Sequence, residues 1–117
     1  MKVKELFEKN LEATLLEMAN LDSNDTGINR VIIWVGVDPQ QHYLRVKVSN
    51  VPDKWSNDNF TITLPEMNVV GKVGKWITGS TLELIKNWIQ LNIEVITAYE
   101  QGEIVSTRDF LSRIRKI

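Results

Sequence analysis

The strongest constraint on the fold is the stretch Arg-Val-Ile-Ile-Trp-Val-Gly-Val-Asp-Pro-Gln-Gln-His-Tyr-Leu-Arg-Val-Lys-Val-Ser-Asn, from Arg30 to Asn50. Two runs rich in Val, Ile, Trp and Tyr, which suit a pleated and half-buried surface, flank a turn signal. Asp38-Pro39-Gln40-Gln41 supplies that turn, with Pro39 setting φ at its second position. A four-residue loop predicts a hairpin in which Val37 faces His42, Val35 faces Leu44, Ile33 faces Val46 and Val31 faces Val48. These pairs make one apolar face. Gly36 opposite Tyr43, Trp34 opposite Arg45 and Ile32 opposite Lys47 make the other. A slip of one residue would mix the two sets, so the sorting of faces is strongly specified.

The rest of the chain is read around this hairpin. Val3, Leu6, Phe7, Leu11, Thr14, Leu15 and Met18 recur at three- and four-residue spacing and predict an amphipathic helix of about five turns. Glu8, Glu12 and Glu17 make its outer face acidic. Leu21 to Asn29 reads as a polar loop. Its Asp22, Asn24 and Asp25 alternate as in a calcium loop, but the spacing of glycine and closing glutamate in an EF-hand is absent, so no metal is assigned. Val51 to Asn59 is a loop carrying Pro52 and Trp55. Phe60 to Leu64 alternates as a third strand, and Pro65 to Asn68 turns the chain into a fourth strand from Val69 to Trp76. In that register Thr63 faces Val70 and Thr61 faces Lys72.

Ser80 and Glu83 predict a capping box at the start of a second helix, with Leu82, Ile85, Trp88 and Ile89 as its buried stripe. Residues 93–99 fit both alternation and helical spacing. Helix is favoured, bent near Asn92 and ending at Gly102. Ser106 to Asp109 is a second cap, for a short helix bearing Phe110, Leu111 and Ile114 with Arg113, Arg115 and Lys116 toward its C-terminal end. The expected architecture is α+β: an N-terminal helix, a four-stranded antiparallel meander and two C-terminal helices with the helices on one face.

A length of 117 residues suits one domain. The net charge of −1 argues against broad binding to nucleic acid or anionic membrane while permitting a local basic patch. Cysteine is absent from the sequence, which removes disulfides, thiol catalysis and zinc–thiolate sites. The N-terminus Met1-Lys2-Val3-Lys4-Glu5 does not read as a secretory signal, and no run approaches the ~20 apolar residues of a membrane span. A cytoplasmic location is expected.

His42 is the sole histidine of the sequence. With Tyr43 and Arg45 it could handle a phosphate as acid or base, but no second catalytic partner is identifiable and a solvent-facing turn histidine is the simpler reading. Gly71-Lys72-Val73-Gly74-Lys75 fits neither phosphate-loop nor dinucleotide spacing and reads as strand. The second sheet face is the better candidate: Ile32, Trp34, Tyr43, Arg45, Lys47, Thr61, Thr63 and Lys72. Trp34 opposite Arg45 offers a cation–π pair, and aromatics with arginine have the composition of interface centres. The alternative is that a terminal helix covers this face and makes it a second core layer.

Asp38-Pro39 and His42 leading into a strand, the Gly71-Lys72-Val73 strand, and Trp88-Ile89-x-Leu91-Asn92 followed by Glu94-Val95-Ile96 and Tyr99 resemble a family of small bacterial and phage proteins, some encoded beside antitoxin genes. The resemblance spans about residues 37–102. Those relatives carry a second histidine where this chain has Leu44, so no shared histidine chemistry is carried over. The resemblance implies a small accessory protein of a phage or mobile element and favours helix after Asn92.

The expected function is non-enzymatic: an interaction protein that binds a host or partner protein through the aromatic–basic face, without a cofactor or metal. One alternative is a toxin-like RNA-binding or RNA-cleaving protein using His42, Tyr43, Arg45 and Lys47. The other is a self-associating structural protein that forms a two-fold dimer through the same face.

Overall fold

The computed structural model describes residues 18–36 and 44–117. The helix expected from Val3 onward lies outside these residues, as do the Pro39 turn, His42 and Tyr43. Only the end of the expected helix can be placed: Met18 opens a strand. The described chain is α+β, with a five-stranded antiparallel sheet in the order β1-β2-β3-β4-β5 and four helices. The meander is therefore one strand longer than expected.

Strand β1 is Met18–Leu21 and pairs with β2, Ile33–Gly36. Met-Ala-Asn-Leu has no β-branched residue. It is extended because pairing with β2 buries Ala19 and Leu21 while leaving Asn20 outside. The supposed polar loop that follows folds into a helical turn, α1, Ser23–Thr26. The Asp22 carboxylate accepts from the Asn24 N–H, and the Asp25 carboxylate accepts from the Asp22 N–H. The alternating acids and amides thus close a capping box.

Strand β3, Leu44–Ser49, pairs with β2 through Ile33↔Val48 and Trp34↔Lys47. The expected register is corrected by two residues. Val48 replaces Val46 opposite Ile33, and Lys47 replaces Arg45 opposite Trp34. Because the side-chain period is two, the shift leaves each described strand residue on its expected face. Ile33, Val35, Val46 and Val48 are all fully buried. The register is held away from the turn: the Ser49 N–H donates to the Ile32 carbonyl at 3.0 Å, while the Arg45 N–H donates to the Glu100 carboxylate at 3.2 Å.

Strand β4, Asn59–Leu64, forms the longest ladder, running against β3 from Leu44↔Leu64 to Ser49↔Asn59. Strand β5 is only Asn68–Val70. It pairs as Thr61↔Val70 and Thr63↔Asn68, again two residues from the expected register. The turn is tighter than proposed because Met67 adopts a left-handed φ of 64° and its N–H returns to the Thr63 carbonyl. Gly71, at φ 100°, then ends the strand, so the expected run to Trp76 leaves the sheet. Trp76 instead packs against the core.

Three helices supply the other half of the core. Helix α2 is Gly79–Leu91, α3 is Ile93–Glu100 and α4 is Thr107–Arg113. Ile85, Trp88, Ile89, Ile96, Tyr99 and Phe110 are fully buried in one cluster with the inner residues of the strands. Tyr99 stacks on Phe110 with ring centroids 4.2 Å apart. Residues 93–99 are helical, and the break falls at Asn92 as expected. The side-chain amide of Asn92 donates to the carbonyls of Trp88 and Arg115, and its oxygen accepts from the Arg115 N–H. One buried side chain thus marks the bend and ties down the C-terminal segment. Gly102, at φ 80°, ends α3 with the Glu103 N–H bonded to the Ala98 carbonyl and its own N–H to Tyr99, a Schellman closure.

The α2 cap is a correction. Thr78, not Ser80, accepts from the Thr81 N–H, and Ser80 lies in the first turn. The Ser106 cap of α4 is as expected, with its hydroxyl accepting from the Asp109 N–H.

Candidate functional site: the outer face of the sheet

Alternation along each strand sends every second side chain away from the helices. The pairings align those side chains into rows. Asn20, Trp34, Lys47, Thr61 and Val70 follow one another across all five strands. Beside them lie Met18 next to Gly36, and Arg45 next to Thr63 and Asn68. These strand positions carry two cations and no carboxylate. Their middle is half-buried, and its outer edge is open, with Val70 55% exposed. Helices α2, α3 and α4 put their buried residues into the core on the opposite face.

Trp34 is the centre of the arrangement. Its indole leans along its own strand over Gly36, where a Cβ would stand 2.7 Å from Cη2. Glycine at 36 is what permits that close approach. On the β3 side the Lys47 ammonium sits 5.6 Å from the ring centroid, within cation–π range. The expected cation–π partner was Arg45, so the register shift exchanges the cation and keeps the interaction type.

Trp55 completes the aromatic cluster, with its centroid 6.3 Å from that of Trp34 and the planes 31° apart. It is 38% exposed and sits on the β3–β4 loop. Local hydrogen bonds fix the loop. The Ser49 hydroxyl donates to the Lys54 carbonyl, and the Asn50 amide donates to the Asp58 carboxylate and to the Lys72 carbonyl. The Gly74 N–H donates to the Asn50 oxygen. At the loop's far side Arg30 Nε meets the Asp53 carboxylate at 2.8 Å. That exposed pair contributes little to stability, and the backbone bond from the Asp53 N–H to the Arg30 carbonyl accompanies it.

Beside Trp55 the surface sinks into a pocket of about 220 Å³. Ile32 and Trp55 form its apolar walls, and Asn20, Asp22, Asp53 and Lys54 stand at its polar side. Ile32 was expected opposite Lys47. It instead precedes β2 and lines this pocket.

The structure therefore brings together Ile32, Trp34, Arg45, Lys47, Thr61 and Thr63 on one side of the sheet. Lys72 does not join them, since β5 has already ended, and its carbonyl serves as the acceptor for Asn50. Tyr43 lies outside the described residues. Asn20 and Met18 were missed because β1 carries no strand propensity. Trp55 had no periodic signal, sitting in a loop whose path depends on Ser49 and Asn50. Among the described residues no group of three His, Asp or Glu could hold a metal ion, and no helix is long and apolar enough to cross a membrane. No protein-family model matches the chain, and neither a curated protein nor a solved structure does.

Proposed function

We propose that the chain is an interaction protein that binds a partner protein through the outer face of its sheet. The observation that carries this reading is Trp34: a large, rigid side chain second in a five-strand row, on the face away from the core helices, with Lys47 and Trp55 around it. Half-buried aromatics flanked by cations and hydroxyls have the make-up of interface centres, where a few such anchors carry most of the binding energy. A phage or mobile-element setting, which the family resemblance implies, makes that partner a host protein.

The test is Trp34→Ala, measured against a partner recovered from the native host. The complex should weaken by about 2 kcal/mol or more. The free protein should lose about 1 kcal/mol, the upper range for a cross-strand pair. A variant that unfolds outright would make this face a second core layer and remove the proposal.

A further inference from the structure

We infer that the partner presents an extended polypeptide segment with at most about three residues between an apolar anchor and a carboxylate; this rests on the reading of the outer face as a protein-binding surface. The argument begins with the pocket. Ile32 and Trp55 give it an apolar side, and about 220 Å³ is room for one aliphatic or aromatic side chain. The next feature is charge. Among the described residues the outward strand positions carry no acid, and Lys47 at the middle of the row complements a negative group. Lys47 also stands over the Trp34 ring, where a carboxylate can meet the ammonium beside the indole.

The spacing follows from the aromatic cluster. Trp55 is 6.3 Å from Trp34, and the Lys47 ammonium is 5.6 Å from Trp34. The pocket wall and the cation are thus no more than about 12 Å apart. An extended chain spans ~3.3–3.6 Å per residue, which allows at most about three residues between anchor and carboxylate. A nucleic acid fits this surface less well. Asp22 and Asp53 border the pocket beside Trp55, where a stacked nucleotide would bring its phosphate against them.

The experiment uses the full chain and three probes: the capped peptide Leu-Ser-Ser-Glu-Glu, its counterpart Leu-Ser-Ser-Lys-Lys, and an eight-residue oligothymidylate. Binding is read from the indole N–H resonances of Trp34 and Trp55. The acidic peptide should shift both, and its affinity should exceed that of the basic peptide at least fivefold. Lys47→Glu should reverse that preference, a result that loss of folding cannot produce. Equal binding of the two peptides, with both indoles shifted, overturns the acidic assignment and leaves the protein-binding reading standing. Tighter binding of the oligothymidylate overturns the polypeptide assignment in favour of single-stranded nucleic acid. If no probe moves either indole, both the inference and the reading beneath it fall.

Discussion

The indole of Trp34 lies over Gly36, two residues further along the same strand, so closely that a Cβ at position 36 would be 2.7 Å from Cη2 and 2.9 Å from Cζ2. The contact ties the shape of the candidate site to a single missing methyl group. Gly36→Ala should swing the far edge of the ring away, since the obstructing atoms belong to a side chain and not to backbone. The expected cost to folding is about 1 kcal/mol, the low end for overpacking. The checks are the Trp34 indole resonance and partner affinity, both of which should change while far-UV circular dichroism stays the same. An unmoved indole signal would show that Gly36 does not shape the site.

Ile33 tests the other face. It is fully buried, paired with Leu21 on one side and Val48 on the other. Ile33→Ala should destabilise by about 2–5 kcal/mol, through lost transfer energy and the cavity left behind. Denaturant unfolding gives the number, and a loss under about 1 kcal/mol would contradict a central core position.

Thr78 and Ser80 separate the two cap assignments. Thr78→Ala should cost about 1 kcal/mol because it removes the acceptor of the Thr81 N–H. Ser80→Ala should stay within about 0.5 kcal/mol, as an exposed first-turn substitution. Thermal melts of the two variants side by side decide it, and a larger loss at Ser80 would restore the cap expected from the sequence.

Asn92 links the α2–α3 bend to the C-terminal segment. Asn92→Ala removes both hydrogen bonds to Arg115 and the one to the Trp88 carbonyl. The loss should be about 1–3 kcal/mol, the scale of buried polar groups deprived of partners. Hydrogen exchange at the Arg115 amide should speed up, and so should exchange at Ile117, whose N–H donates to the Thr26 carbonyl. Retained protection at both amides would show that the segment is held by side-chain packing alone.

Much of the scaffold was legible because it rests on short-range patterns. Alternation assigned Ile33, Val35, Val46 and Val48 to the core and Trp34, Arg45 and Lys47 to the opposite side. Those assignments survived an error in register because a two-residue shift does not change parity. The bend at Asn92, the closure at Gly102 and the cap at Ser106 are local too: each depends on residues a few positions apart.

What depends on distant partners was decided only in three dimensions. Met18–Leu21 is a strand because β2 supplies hydrogen bonds and the core takes Ala19 and Leu21, and no propensity in those four residues announces it. The cation beside Trp34 is Lys47 because Ser49 and Glu100 hold β3 from its sides, 17 and 55 residues away from their partners Ile32 and Arg45 when measured along the chain. Trp55 reaches Trp34 because a loop is folded back by Ser49 and Asn50. By itself the sequence determined which side chains share a face, since that follows from a period of two along a single strand. Only the tertiary structure decided which of them are neighbours, because register is a compromise among hydrogen bonds at both ends of each strand.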